Sequence, residues 1–322
     1  MKARVFAPVN VALIKYWGKS DEKLRIPVNS NLSVCLEKLG TETTVEFKKH
    51  LKRDKVVINK KKVSGREKDR VVKHLDRVRK MADIDWKVEV ISENNFPTGV
   101  GLSSSASGMA ALSLGATKAA GLDLSEKDLS RLARLGSGSA CRSMADGWVE
   151  WVKGDSDKNS YAKSVFNKDH WDLKILVVVL SQKKKKISSS KGMAEAKTSE
   201  FFKTRIKGME NKLRKIKQAI KDKNFSLVGK IMENEALNMH AVMLTQRPSL
   251  IYWLPETVRV MKAVQDFREE GSECYFTVNT GQNVLVICEE KNEEKLVKKL
   301  KNINGVIEIR RDRIGRGARL FT

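Results

Sequence analysis

Apolar and polar positions alternate from the start of the chain, in Arg4-Val5-Phe6-Ala7, in Leu32-Ser33-Val34-Cys35-Leu36 and again in Thr43-Thr44-Val45-Glu46-Phe47. This period of two predicts strands. A loop with Gly18, Pro27 and Asn29 separates the first two, and residues 55–58 and 87–91 read as further strands. Between these, residues 67–81 set Val71, Val72, Leu75 and Val78 on one face, as a helix packed against a core does. Residues 102–120 are small and helix-compatible, and Ser125 with Asp128 predicts a capped helix through Leu135. Residues 148–152 and 173–180 read as strands, the second buried on both faces because it is a continuous apolar run. The pattern then turns helical over 198–223 and 226–240, and a proline-bounded segment at 247–255 leads into a helix over 256–270. Strands at 275–278 and 284–288 flank the turn Asn279-Thr280-Gly281-Gln282-Asn283, and a Lys/Glu-rich helix near 293–300 precedes a strand at 306–310. No internal repeat appears. The buried strand runs into a basic stretch, residues 182–190, which its lysines predict to be a solvated loop and a domain boundary.

Length and composition narrow the class. At 322 residues the chain exceeds one ordinary core, so two lobes are expected, 1–180 and 181–322. The 41% hydrophobic residues suffice for real cores, and the 32% charged residues are spread along the chain. No apolar run approaches the roughly 18 to 20 residues that span a bilayer, and residues 1–20 carry no signal-peptide pattern, so no membrane partner and a cytoplasmic location are expected. Four cysteines without a CxxC pair and four histidines offer no transition-metal ligand set, and reduced thiols are expected. The formal charge of +24 fits nucleic acid, an anionic membrane surface or a small anionic substrate, and charge alone does not choose.

Three segments carry candidate chemistry. The first, residues 94–108, follows a strand and opens a helix. Its glycines let backbone approach a ligand, while four serines (Ser103, Ser104, Ser105 and Ser107) and a helix N-terminus offer donors to an anion. A plain Gly/Ser cap is the bland alternative; Pro97 and the serine density favour a phosphate cradle, though not a Walker A loop, whose Gly-Lys-Ser/Thr ending is missing. The second, Gly136-Ser137-Gly138-Ser139-Ala140-Cys141-Arg142-Ser143, brings hydroxyls and a guanidinium fork together, a set suited to phosphate or carboxylate, or else forms a turn with a surface arginine. The third, residues 7–19, flanks the aromatic pair Tyr16-Trp17 with Lys15 and Lys19, and reads equally as a binding loop or a buried aromatic loop.

Taken together, APVNVALIKYWGK, IPVNSNLSV, NNFPTGVGLSSSASG and GSGSACRS, with weaker echoes at KKKKISSSKGM, ALNMHAVM and YFTVNTGQNV, resemble the diphosphomevalonate decarboxylases of the GHMP kinase superfamily, in order over nearly the whole chain. The resemblance implies a two-lobed α+β GHMP kinase fold. Its N-terminal domain would resemble the second domain of ribosomal protein S5 and bind ATP and substrate, and a ferredoxin-like C-terminal domain would close the cleft. It implies an ATP-dependent carboxy-lyase of the mevalonate pathway of isoprenoid biosynthesis, with ATP and Mg2+: the 3-hydroxyl of mevalonate 5-diphosphate is phosphorylated, then phosphate and CO2 leave to give isopentenyl diphosphate. By the same resemblance, Asn94, Pro97, Gly99, Gly101, Ser103, Ser104, Ser105 and Ser107 would hold ATP. Asn10, Tyr16, Lys19, Ser137, Ser139, Arg142 and Ser189 would hold the substrate, and Lys15, Arg142 and residue 279 would stand at the chemistry. The metal ligands stay unassigned, and a homodimer is implied.

Two positions depart from the family pattern. Asn279 stands where the family has the aspartate taken as base for the 3-hydroxyl; an amide has nearly the same volume but cannot take a proton, which predicts a slow or inactive enzyme. Ser190 stands where relatives place an arginine after the paired serines, which keeps mevalonate 5-phosphate, giving isopentenyl phosphate, as the runner-up substrate, with mevalonate kinase chemistry beyond it. A ligand-binding but catalytically silent relative is a third reading. The rival from another class is a basic nucleic-acid-binding protein; its lysine runs read more simply as solvated faces, without RNP, KH or zinc-finger spacing, so no specific nucleic-acid partner is expected.

Overall fold

A computed structural model describes residues 1–96, 104–183 and 185–321. In chain order the strands are β1 (Lys2–Ile14), β2 (Lys19–Asp21), β3 (Ile26–Pro27), β4 (Asn31–Lys48), β5 (Lys55–Ile58), β6 (Lys61–Lys62), β7 (Lys87–Asn94), β8 (Trp148–Trp151), β9 (Ala162–Phe166), β10 (Leu173–Val179), β11 (Cys274–Val278), β12 (Val284–Glu289), β13 (Glu308–Arg313) and β14 (Arg319–Leu320). The helices are α1 (Gly65–Ala82), α2 (Ser104–Ala119), α3 (Glu126–Gly136), α4 (Ser189–Ala194), α5 (Phe201–Lys207), α6 (Met209–Lys221), α7 (Phe225–Thr245), α8 (Pro255–Glu269) and α9 (Glu290–Lys301). A 3₁₀ turn over Gly138–Ser143 follows α3.

The first lobe is built on β4. It pairs with β1 in two stretches, Lys2↔Glu46 to Pro8↔Gly40 and Asn10↔Cys35 to Ile14↔Leu32, its second half pairs with β7 from Thr41↔Asn94 to Lys48↔Lys87, and its first half pairs with β8 from Asn31↔Trp151 to Val34↔Trp148. The two strands expected around residues 32–36 and 43–47 are therefore one. Gly40 lies between them, and a Cβ there would fall 2.3 Å from the Phe6 ring and 2.5 Å from the Ala7 carbonyl oxygen, so the chain continues only because that position lacks a side chain. On one face, Val5, Val45, Phe47 and Val88 meet Val71, Leu75 and Val78 of α1 and the alanine-rich α2. α3 starts as its sequence predicts, the Ser125 hydroxyl accepting from the Asp128 N–H.

In the second lobe the described sheet has the order β11-β12-β10-β13, antiparallel throughout, the strand order of a ferredoxin-like βαββαβ unit. β10 supplies the buried apolar run, with alternate residues facing opposite cores. Ile175 and Val177 pack with Leu13, Leu32 and Ile216 toward the first lobe, while Leu176 and Val178 pack with Phe276 and Leu300 away from it. Further elements differ from the sequence expectation. Gly208 interrupts the long helix of 198–223 between α5 and α6, and β9, β14 and the short α4 arise in segments without clear periodicity. Cys274 and Cys288, distant in sequence, face each other across β11 and β12, both buried as free thiols. Among the described residues no helix is long and apolar enough to cross a membrane.

Candidate active site

β1 ends at Ile14 and delivers Lys15 and Tyr16 into a cavity of about 260 Å3 between the lobes. The 3₁₀ turn after α3 brings Ser137, Ser139 and Arg142 to it, the turn after β11 brings Asn279 and Thr280, and the start of α4 brings Ser189. Lys19 joins them, so every expected substrate contact except Asn10 lines this one cavity. No Asp or Glu lines this cavity among the described residues, whereas Lys15, Lys19, Arg25, Arg70, Arg142 and Lys185 do. Such a lining is a receptor for anions.

Lys15 is buried at the bottom, its Nζ donating to Ala12 O at 2.7 Å, Thr277 Oγ1 at 2.6 Å and Asn279 Oδ1 at 3.0 Å. All three acceptors are neutral. Burial therefore drives the Lys15 ammonium down to about 7; Glu235 opposes the fall, and Arg142 and Arg205 add to it. Glu235 acts at a distance, bonded to Arg205 and Lys212, while Arg205 in turn donates to the Lys15 carbonyl at 3.2 Å. His240, which lies in the ALNMHAVM echo but takes no role from the sequence, holds the turn from behind: its Nε2 lies 2.9 Å from the Asn279 carbonyl oxygen, and burial lowers its pKa to about 3, so the ring stays neutral and donates.

Arg142 is buried and its fork is occupied on one side by amide oxygens: Nε and Nη2 donate to Asn10 Oδ1 at 3.2 and 3.0 Å, and Nη1 to Asn31 Oδ1. Asn10, grouped by the resemblance with the substrate contacts, has no exposed surface. Its Nδ2 donates to Ser139 O at 3.0 Å and Ser143 Oγ at 2.8 Å, so its side chain is committed to aiming Arg142. Gly138 admits Tyr16: a Cβ there would stand 2.7 Å from the Tyr16 hydroxyl. Burial raises the Tyr16 pKa, keeping it a phenol donor. The basic stretch after β10 is not wholly solvated. Lys185 Nζ donates to Ser189 Oγ at 2.7 Å and Thr280 O at 2.6 Å, and burial lowers it to about 8.

A second cavity, about 670 Å3, adjoins the first and shares Arg70, Ser104, Ser105, Lys185 and Ser188 with it. Its far wall is apolar, from Val56, Ile58, Val63, Val90 and Met109, with Asn59 and Asn94 at its edge. Asn94 Oδ1 accepts from Thr41 Oγ1 at 2.6 Å, and its Nδ2 lies 3.2 Å from Asn59 Oδ1. Of the expected ATP contacts, Ser104, Ser105 and Asn94 line this cavity. Ser107 is fully buried, bonded to Thr41 at 2.6 Å, and lines neither cavity. Pro97, Gly99, Gly101 and Ser103 lie outside the described residues. Among the described residues no three His, Cys, Asp or Glu side chains gather as a metal site. Magnesium suits this donor set as a companion of bound phosphates, with the hydroxyls of Ser104 and Ser105 as the protein groups that would hold it.

Residues 7–162 match the family model of the diphosphomevalonate decarboxylase-like N-terminal domain, and residues 175–314 that of the mevalonate 5-diphosphate decarboxylase C-terminal domain. The diphosphomevalonate decarboxylase of Bos taurus is 34% identical over 307 residues, 87% of this chain and 75% of the relative. The mevalonate diphosphate decarboxylase of Staphylococcus aureus superposes with a TM-score of 0.94 at 42% identity, covering 100% of this chain and 98% of that one. A further solved structure, a complex with MVAPP, AMPPCP and magnesium, gives a TM-score of 0.93 at 39% identity over 100% and 99% of the two chains. The two-lobed α+β fold expected from the sequence is the fold these structures share.

Proposed function

The chain belongs to the diphosphomevalonate decarboxylase family, and from that premise we propose that it performs the ATP-dependent decarboxylation of mevalonate 5-diphosphate to isopentenyl diphosphate. It is an ATP- and Mg2+-using carboxy-lyase of the mevalonate pathway and takes a small anionic substrate. The observation that carries this reading is the junction of the two cavities at Ser104 and Ser105. The first is lined by cations and hydroxyls and suits mevalonate 5-diphosphate; the second, apolar at its far wall, suits a nucleoside whose phosphates reach the shared serines.

Phosphoryl transfer is mostly positioning plus cationic stabilisation. Tyr16, Lys19, Ser137, Ser139 and Ser189 hold the substrate's phosphates and carboxylate, and Arg142, braced by Asn10 and Asn31, fixes the carboxylate end with its remaining N–H groups. Magnesium supplies charge neutralisation at the phosphate oxygens when bound. Lys15 places its ammonium at the reacting hydroxyl, where developing negative charge gives it the anionic partner that its neutral acceptors lack. Asn279 orients the hydroxyl without accepting its proton, which passes late in the loose transition state to an oxygen of the transferred phosphoryl group. The phosphorylated tertiary carbon then loses phosphate as the C–CO2 bond breaks, and that bond's electron pair becomes the new double bond. A homodimer in the cytoplasm completes the reading, supported by the family resemblance and tested by sedimentation of the purified protein and by its fractionation in cells.

The deciding experiment incubates purified protein with ATP, Mg2+ and, in parallel, mevalonate 5-diphosphate, mevalonate 5-phosphate or mevalonate, following ADP and CO2. Equimolar ADP and CO2 with the diphosphate alone supports the proposal. ADP without CO2 would reassign the chain as a kinase, and turnover confined to the monophosphate would move the substrate.

A further inference from the structure

Arg25 enters the cavity from an unusual place. It sits in the hairpin between β2 and β3 with φ 56°, a left-handed conformation that residues with side chains rarely adopt. The hairpin is held in that shape: the Leu24 N–H donates to Asp21 Oδ1 at 2.7 Å, and Arg134 Nε donates to Leu24 O at 2.9 Å. The guanidinium is fixed as well, Nε donating to Leu135 O at 3.2 Å. Arg70 arrives from α1 and donates through Nη2 to the next carbonyl, Gly136 O, at 3.0 Å. Two guanidiniums are thus anchored on consecutive carbonyls at the C-terminus of α3, where the helix dipole favours positive charge.

Neither arginine makes an ion pair among the described residues, and both line the first cavity. Arg70 is held below its ordinary value, by burial first and then by Arg25, with Glu67 opposing from a distance, so the two guanidiniums repel each other. A pair of forks held side by side, neither of them in an ion pair among the described residues, is suited to an oxyanion of high charge. The deep end of the cavity is already equipped by Lys15 and Arg142, both nearly fully buried, whereas Arg25 and Arg70 stand toward solvent. The substrate's far end is therefore the group that meets them. We infer that Arg25 is a specificity-determining residue which, with Arg70, clamps the terminal phosphoryl group of the 5-diphosphate and so separates it from the monophosphate. This inference rests on the proposed function, since it assigns one end of that substrate.

Arg25→Asn tests it, because asparagine accepts the left-handed backbone and leaves the hairpin its shape. Removing one charge-assisted phosphate contact is expected to raise KM for mevalonate 5-diphosphate by about tenfold or more, with kcat changed by less than about threefold. KM for mevalonate 5-phosphate should stay within about threefold, so the preference between substrates falls with the first effect. Calorimetric titration with the diphosphate, together with a thermal melt, reads affinity and folding apart from turnover. Equal losses for both substrates, or no loss for either, would overturn the inference. An unsubstituted protein that neither binds nor turns over either mevalonate phosphate would instead overturn the proposed function.

Discussion

The Lys15 ammonium donates to the Asn279 side-chain oxygen across 3.0 Å, tying the end of β1 to the turn after β11 and so one lobe to the other. The partner is an amide, so this contact carries no opposite charge. Together with Thr277 and the Ala12 carbonyl it leaves a buried cation solvated by dipoles alone, poised for a ligand to complete.

Replacing that amide by a carboxylate changes both residues together. Asn279→Asp pairs directly with Lys15, holding it protonated, and adds a proton acceptor at the reacting hydroxyl. A general base typically contributes about 100 to 10,000-fold. The rate of ATP-dependent CO2 release should rise by at least the lower factor while affinity for mevalonate 5-diphosphate changes little. Turnover by the unsubstituted protein near an ordinary rate of about 10 per second, with aspartate adding nothing, would remove residue 279 from the chemistry.

Arg142→Lys is expected to damage both affinity and the lobe that holds it. An ammonium cannot satisfy Asn10 and Asn31 and still reach an anion, and each buried amide oxygen left unpaired costs about 1 to 3 kcal/mol. The urea midpoint should fall and substrate affinity drop at least tenfold, on the order of what loss of a buried charge-assisted pair costs. Asn10→Ala should reproduce part of both effects without touching substrate. Full affinity in the lysine variant would show that the fork is not used.

How much of this was readable without coordinates follows from how each residue is carried. Tyr16, Lys19, Ser137, Ser139 and Asn279 lie in contiguous runs of unusual composition, and the structure brings them to one cavity. Arg25, Arg70 and His240 come singly, in a short hairpin, on an amphipathic helix and on a long helix, where a lone polar residue looks like any other until the fold aims it. Lys185 was hidden in the opposite way, inside a lysine run whose other members fit a solvated loop. Asn10 sits in the right segment but faces inward, because the alternation of β1 breaks near Pro8 and Asn10 where its register with β4 shifts. The continuity of β4 depended on Phe6 and Ala7 filling the space beside Gly40, a long-range packing fact that no local pattern records.

The serines shared by the two cavities should matter to nucleotide binding before chemistry. A Ser104→Ala, Ser105→Ala double substitution removes two hydroxyl donors at the start of α2 and leaves a better helix former in their place, so the fold should hold. Titration with a nonhydrolysable ATP analogue and magnesium should show weaker binding, by about tenfold for two lost hydrogen bonds of ordinary strength. Unchanged nucleotide affinity would place the triphosphate elsewhere.

The last expectation concerns pH. Burial lowers Lys15 to about 7 in the folded protein, against about 10.4 when unfolded. Between those values the unfolded chain binds more protons than the folded one, so stability rises with pH through this window; the cost of burying the ammonium is fully present below pH 7. Lys185, lowered to about 8, adds a smaller contribution of the same sign, and His240, near 3 in the folded protein against about 6.5 unfolded, adds one of the same sign between those values and none above about pH 7.5. An anionic ligand reverses the burden on Lys15 by favouring its charged form. Binding of mevalonate 5-diphosphate should therefore take up protons near pH 7.5 and weaken as pH rises further. Calorimetric titrations in buffers of different ionisation enthalpy count those protons. Lys15→Met should flatten the stability slope above pH 7 except for the share due to Lys185, and should remove most of the proton uptake. Asn279→Asp should also reduce the uptake, because the carboxylate already keeps Lys15 charged in the free protein. If uptake persists at full size in Lys15→Met, the titrating group is another one, and Lys15 enters the reaction as a permanently charged residue.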